Sequence, residues 1–269
     1  MPKSALLWYN ELFSLLTKLG LKPVLDTNCL FSNDKLIVFF YVDDIVVLYH
    51  PSNISAYHEF REKLLDAYKM REMGELKWFL GIRIVRDRAL RKIWLCQDSY
   101  ITKICNKYRN KERTNKIPLT PISTQQLQPY KGTATKAQIL EYSQMVGSCT
   151  YSTAITRPDI AFTTKQLAES LQNPGPQHFD ATHRCLDYLE ATKHYAIKLG
   201  TLRTEHPIFA AASDAAYADD PITRQSTEGS IFQLFGNIID WQSKKQAIVT
   251  TSTTKAELLA LSHISAWLL

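Results

Sequence analysis

The 269-residue sequence lacks the cysteine pattern of a metal or disulfide framework. Its five cysteines, Cys29, Cys96, Cys105, Cys149 and Cys185, are odd in number, scattered and never arranged C-x-x-C. That excludes a cysteine-built zinc module and points to a reducing compartment. An apolar run able to cross a bilayer is also missing. The longest, Leu36–Tyr49, is interrupted in its middle by Asp43 and Asp44 and is too short to span. The opening MPKSALLWYNEL has no long apolar stretch, so it does not read as a signal peptide. No internal repeat is visible. With 45% hydrophobic and 22% charged residues, the chain is neither disordered nor fibrous. A soluble globular protein of two or three domains without a membrane partner is expected.

Charge is present but unevenly placed. The net charge is +6. Lys and Arg exceed Asp and Glu by nine over residues 1–204, and fall three short over residues 205–269. The basic part can hold a polyanion, and the acidic end reads as a different unit. Charge alone is equally compatible with a protein that binds nothing acidic.

Trp8, Leu12, Leu15, Leu16 and Leu19 recur at helical spacing, and Gly20 can close that helix. Leu36–Tyr49 reads as two strands folding back at Asp43-Asp44. Tyr57, Phe60, Leu64 and Ala67 mark a second helix, Leu76–Val85 a strand, and Tyr100–Tyr108 a third helix. Residues 109–135 are polar and aperiodic, a linker or surface loop. Helical patterns return near 136–155, 159–172 and 176–194, punctuated by Pro158 and Pro174-Gly175-Pro176. After Gly200 come strand-like runs at Ile208–Ala212, Ser230–Phe235, Ile238–Trp241 and Ala247–Thr250, then a helix from Thr253. The order is that of an α/β (α+β) protein: a mixed region, a helical middle, then strands closed by a helix.

The carboxylates need explaining. Asn-Gly is the favoured dipeptide of a tight hairpin, whereas Asp43 and Asp44 repel each other, and burying either is costly. One reading is a solvated turn. The other is a divalent-metal site, because Mg²⁺ prefers hard oxygen ligands. Two such ions roughly 4 Å apart can activate a 3′-hydroxyl and neutralise a leaving pyrophosphate. A second candidate pair is Asp214, which ends the run IFAAAS, and Glu257 on the last helix. Leu261 and Ile264 fall at i+4 and i+7 from Glu257. A carboxylate on such a core-facing stripe must be paired, protonated or metal-bound. An exposed Glu257 is the competing reading, since Leu258, Leu259 and Leu261 make the helix apolar nearly all round.

The stretches LIVFFYVDDIVVLY, GELKWFLGIRIVRD and CQDSYITKI together resemble the reverse transcriptase of copia-type LTR retrotransposons. YSQMVGSCTYSTAITRPDIAF resembles that family's connecting region. SDAAYADDPITRQSTEGSIFQLFGNIIDWQSKKQ with TTSTTKAELLALS resembles its ribonuclease H domain. The resemblance implies part of a polymerase palm over 1–90, a helical thumb or connection over 91–204, and the first part of an RNase H-like domain over 205–269. It implies that Asp43 and Asp44 are catalytic, metal-binding carboxylates. Tyr41 and Val42 would then lie beside the incoming nucleotide and primer end, and Leu80 and Gly81 in a primer-positioning turn. Asp214 and Glu257 would be metal ligands of the ribonuclease H site. The implied cofactor is Mg²⁺ or Mn²⁺. The implied partners are an RNA template, a DNA primer, an RNA–DNA hybrid, dNTPs and the rest of the Pol polyprotein, in cytoplasmic virus-like particles or the nucleus. The competing function is a non-catalytic nucleic-acid-binding module derived from a retrotransposon. Trp78, Phe79 and Trp94 are either base-stacking or buried aromatics. His178, His183 and His194 lack ligand spacing, and the basic run Lys103–Lys116 is either a phosphate contact or a solvated helix end.

Several positions depart from the family pattern. The third polymerase Asp, expected well upstream of the hairpin, is not in the sequence. Lys3 and Leu6 stand where Gln and Arg are usual. Ala216 replaces an acidic or amide residue, Tyr217 a Trp and Asp219 a Gly, and Thr254-Lys255 stands for Thr-Glu. The sequence stops at Leu269, before the later ribonuclease H Asp ligands. The expectation is therefore that the polypeptide alone is a poor or dead catalyst. Primer extension on poly(rA)/oligo(dT) with Mg²⁺ or Mn²⁺ should show no incorporation, and incorporation that Asp43→Asn abolishes would overturn it.

Overall fold

A computed structural model describes residues 3–25, 27–108, 117–124, 126–200, 207–220 and 222–266. The chain divides into two compact units, with the boundary in the sequence between Phe79 and Leu80.

The first unit opens with helix α1 (Lys3–Lys18). Gly20 follows at φ +83°, a left-handed conformation that glycine adopts without a Cβ clash and that ends the helix. Strands β1 (Lys22–Pro23), β2 (Leu30–Ser32), β3 (Leu36–Tyr41) and β4 (Asp44–Tyr49) then form an antiparallel sheet in sequential order. Helix α2 (Ile54–Ala67) and the short β5 (Trp78–Phe79) complete the unit. Side chains alternate across β3: Leu36, Val38 and Phe40 are buried while Ile37 and Tyr41 are exposed. The buried set joins Leu12 and Leu16 of α1, Phe31 of β2, and Phe60 and Leu64 of α2 in one core. Tyr49 stacks on Tyr57 at 4.4 Å and so fastens β4 to α2.

The second unit begins with β6 (Ile82–Asp87) and β7 (Lys92–Cys96), an antiparallel pair. Helices α3 (Asp98–Tyr108), α4 (Lys136–Ile155), α5 (Ala161–Ala168) and α6 (Pro176–Ala191) follow. Strand β8 (Ala196–Leu199) then returns to pair with β7. The four helices share a core of Ile101, Tyr142, Met145, Ile160, Leu167, Leu186 and Leu189. Helix α4 starts at a capping box in which the Thr135 hydroxyl accepts from the Gln138 backbone N–H and the Gln138 side-chain Oε1 accepts from Thr135 N–H. The unit ends in β9 (Phe209–Ala216), β10 (Thr227–Leu234) and β11 (Asn237–Lys245), antiparallel with β10 central, and in α7 (Thr253–Ala266), which packs on β9 and β10.

The helices expected from apolar spacing are present, as are the hairpin strands. Five expectations need correcting. The hairpin bends at Val42-Asp43, not Asp43-Asp44, because Asp44 already pairs with Tyr41. Leu76–Val85 is not one strand, because Leu80 and Gly81 are both left-handed. The 159–172 helix is shorter: a 3-10 turn at Pro158–Ile160 leads into α5, which ends at Ala168. Ala247–Thr250 is not a strand. On α7 the buried stripe is Ala256, Ala260 and Ile264, with Leu261 54% exposed. Small alanines, not the leucines, let the helix approach the sheet. The described part of the aperiodic loop is tied down, since Asn173 donates to the carbonyls of Tyr130 and Gly132 and Arg184 to that of Thr120. The basic run beyond Tyr108 and the terminal Leu269 lie outside the described residues.

One charged group sits inside the helical layer. Arg157 is fully buried. Its Nε and Nη2 donate to the two oxygens of Asp159 at 2.9 and 2.7 Å. Nη1 and Nη2 also reach the Thr192 carbonyl and hydroxyl. The guanidinium lies against the rings of Tyr188 and Tyr195. Burial, then the hydrogen bond to Asp159, push the Tyr188 phenol up to about 12, so it stays a donor at Asp159. A buried guanidinium is tolerated only when its donors are matched in this way. Asp159→Ala should therefore destabilise the protein by about 3–5 kcal/mol in urea unfolding, because it strands a buried charge. Removing Glu72, whose ion pair with Arg61 is exposed and screened by solvent, should leave the urea midpoint nearly unchanged.

Candidate polymerase turn and ribonuclease H carboxylates

The β3–β4 register runs from Leu36 opposite Tyr49 to Tyr41 opposite Asp44. Only Val42 and Asp43 remain to reverse the chain. Val42 has φ +56°, and a two-residue loop left-handed at its first position is the pattern of a type II′ turn, usually taken by Gly. A β-branched residue there is strained by about 1–2 kcal/mol. The indole N–H of Trp8, on α1, donates to the Val42 carbonyl and holds the turn. Tyr41, Val42, Asp43 and Asp44 are all exposed, Tyr41 and Val42 at 56% each. None of the described ion pairs or hydrogen bonds involves either carboxylate of Asp43 or Asp44. Two adjacent, unpaired hard-oxygen donors on a braced turn fit a divalent cation such as Mg²⁺ or Mn²⁺.

Leu80 and Gly81 lie at φ +51° and +77°, the pair of left-handed conformations that a type I′ turn requires. The phenol of Tyr151, on α4, donates to the Leu80 carbonyl at 2.9 Å. The turn was hidden within an apolar run because only its second residue is glycine.

Asp214 lies in β9 opposite Gly229 of β10. Glu257 lies in the second turn of α7. Both are exposed, and no described hydrogen bond or ion pair joins them. Among the described residues no three His, Cys, Asp or Glu form a group able to hold a metal ion. His178 is buried and accepts at Nδ1 from Gly175 N–H, while its buried Nε2 has no hydrogen-bond partner among the described residues. Trp78 is 48% exposed and Trp94 half-buried.

Two clusters in the second unit were not foreseen. Glu228 of β10 is buried and meets His263 of α7 at 2.8 Å, Lys244 of β11 at 3.2 Å and the Gln246 amide. Asp220 receives Lys245, the Thr223 hydroxyl and the backbone N–H groups of Ile222 and Thr223. Burial works to raise the Asp220 carboxyl, but these donors prevail and hold it well below the usual carboxylate range. Lys245 also meets Glu169, the residue that follows α5, and Glu169 in turn meets Lys165. Lys165 donates to Thr227, whose hydroxyl donates to Asp219. In sequence these residues are scattered, and only folding brings them together.

Comparison with known proteins places the sequence in a class. Residues 1–123 match the family described as reverse transcriptase (RNA-dependent DNA polymerase). The chain is similar to the retrovirus-related Pol polyprotein from transposon TNT 1-94 of Nicotiana tabacum, 33% identical over 86% of this chain and 17% of that protein. It is 32% identical to the Pol polyprotein from transposon RE1 of Arabidopsis thaliana, over 96% of this chain and 17% of that protein. It is also 25% identical to a putative transposon Ty5-1 protein of Saccharomyces cerevisiae, covering 98% of this chain and 85% of that one. The chain belongs with the retrovirus-related Pol polyproteins of copia-type transposons. It spans about a sixth of the length of the two plant Pol polyproteins. No solved structure matches it. Among the described residues no helix is long and apolar enough to cross a membrane.

If Val42 is held left-handed as described, Val42→Gly should stay within about 1 kcal/mol of the parent in urea unfolding, relief of strain offsetting lost chain stiffness. Val42→Pro, locked near φ −65°, should cost about 3 kcal/mol or more.

Proposed function

We propose that this chain is the palm-to-ribonuclease H stretch of a copia-type reverse transcriptase, serving RNA-directed DNA synthesis. The observation that carries the reading is the Tyr-Val-Asp-Asp turn, which presents two unpaired carboxylates to solvent from a braced hairpin. Asp43 and Asp44 would hold Mg²⁺ or Mn²⁺. The cation supplies charge neutralisation where a primer 3′-hydroxyl displaces pyrophosphate from a dNTP. Tyr41 and Val42 form the exposed surface against the primer end and nucleotide. The Leu80-Gly81 turn supports the primer, and the Lys- and Arg-rich residues 1–204 hold the template–primer backbone. Asp214 and Glu257 would serve hydrolysis of the RNA strand of an RNA–DNA hybrid. The working context would be the rest of the Pol polyprotein, in a cytoplasmic virus-like particle or the nucleus.

The basic balance of residues 1–204 also favours a second reading, a non-catalytic nucleic-acid-binding module. Calorimetric titration with Mn²⁺ separates the two. The first reading expects saturable binding that Asp43→Asn weakens about tenfold or more, as expected for loss of one charged ligand. Binding of an RNA–DNA hybrid that falls steeply with salt, without any Mn²⁺ site at the turn, would leave only the second.

A further inference from the structure

We propose that Trp8 and Tyr151 are positioning residues, each fixing by one aromatic hydrogen bond the direction in which a left-handed turn presents its residues. The purpose assigned to them rests on the function proposed above, but the device is legible in geometry alone. Val42 and Leu80 are bulky residues held at φ +56° and +51°, where L side chains are disfavoured. Each has its carbonyl taken by an aromatic donor remote in sequence. Trp8 Nε1 reaches Val42 across 34 residues, and Tyr151 Oη reaches Leu80 across 71. Each tie lies within its own unit.

The consequence follows from peptide planarity. Fixing the Val42 carbonyl fixes the plane it shares with the Asp43 nitrogen, and so the origin of the Asp43 side chain. Fixing the Leu80 carbonyl does the same for Gly81. A glycine at either first position would relieve the strain but would leave the plane free to swing. The bulky residue and the remote donor therefore act together.

Each donor also packs against a second ring. Trp8 lies in α1 with its ring edge-on to Tyr68 at 5.0 Å. Tyr151 lies in α4 with its ring edge-on to Tyr100 at 4.9 Å. Both side chains turn about only two χ angles and stand on helices, so each carries the rigidity of its helix to a turn. A purely packing role would need the rings and not the polar hydrogens.

Trp8→Phe and Tyr151→Phe keep a ring and delete the donor. In ¹⁵N-resolved NMR of the full chain, the Trp8 indole proton of the parent should exchange slowly. Trp8→Phe should move the Asp43 amide resonance and increase its fast motion, and Tyr151→Phe should do the same at Gly81. Melting should stay within about 4 °C of the parent. With Mn²⁺ as the probe, Trp8→Phe should raise the dissociation constant about fivefold. With a recessed RNA–DNA primer–template as the probe, Tyr151→Phe should weaken binding about fivefold. Unchanged Asp43 and Gly81 resonances, or an indole proton exchanging as fast as free tryptophan, would overturn the proposal. So would moved resonances with unchanged Mn²⁺ and duplex affinities, which would leave the bonds merely structural. A parent that binds no Mn²⁺ would instead sink the metal reading, while the amide and exchange measurements still decide whether the donors hold the turns. If Trp8→Phe does not fold, the parent's indole exchange and Tyr151→Phe still decide.

Discussion

The register of β3 against β4 constrains everything around the acidic turn. Leu36, Val38 and Phe40 must face α1 to bury their side chains, and their partners Tyr49, Val47 and Ile45 share that face. A slip by one residue would turn the whole set outward. With the pairs fixed from Leu36–Tyr49 to Tyr41–Asp44, two residues are left to reverse the chain. One of them is a valine. It is forced left-handed, and the Trp8 indole answers that strain. Asp43 and Asp44 then stand in water, where two adjacent like charges are least costly. The exposed acids are thus a product of the core beneath them.

The second unit is organised around polar groups as much as apolar ones. Arg157, Asp159, Thr192, Tyr188 and Tyr195 join the 3-10 turn before α5 to the end of α6. The ionic chain from Lys165 through Glu169 and Lys245 to Asp220 joins α5 to β11 and to the loop after β9. Trp241 of β11 donates its indole N–H to the Thr153 carbonyl of α4. These links explain why the terminal sheet and the helical layer form one compact unit, although the charge balance changes sign between them. Of these groups Arg157 is fully buried, and a buried charge is costly once its partner is lost.

The family assignment rests on the sequence, and the structure adds where the acidic residues stand. The exposed carboxylates Asp43 and Asp44 lie at a turn, Asp214 on a strand and Glu257 on a helix, while the four middle helices share an apolar core. The braced turn presents two carboxylates without a described partner. Asp214 and Glu257 show less organisation among the described residues, since each stands exposed without a described partner.

By itself the sequence determined the helices with clear apolar periodicity, the hairpin strands and the unusual Asp-Asp at their bend. All of these are local patterns, set by spacings of two to four residues. Tertiary structure decided what spacing does not encode. It moved the bend by one residue, because pairing of Tyr41 with Asp44 depends on which face α1 covers. It divided Leu76–Val85 at Leu80-Gly81, a turn held by a phenol 71 positions away. It chose Ala256, Ala260 and Ile264 over the leucines as the buried stripe of α7, because closeness to a sheet rewards small side chains. It also assembled the Arg157 clamp and the Asp220–Lys245 network from residues far apart in the chain. Long-range burial and hydrogen-bond matching are properties of the folded surface, and a linear pattern carries no record of them.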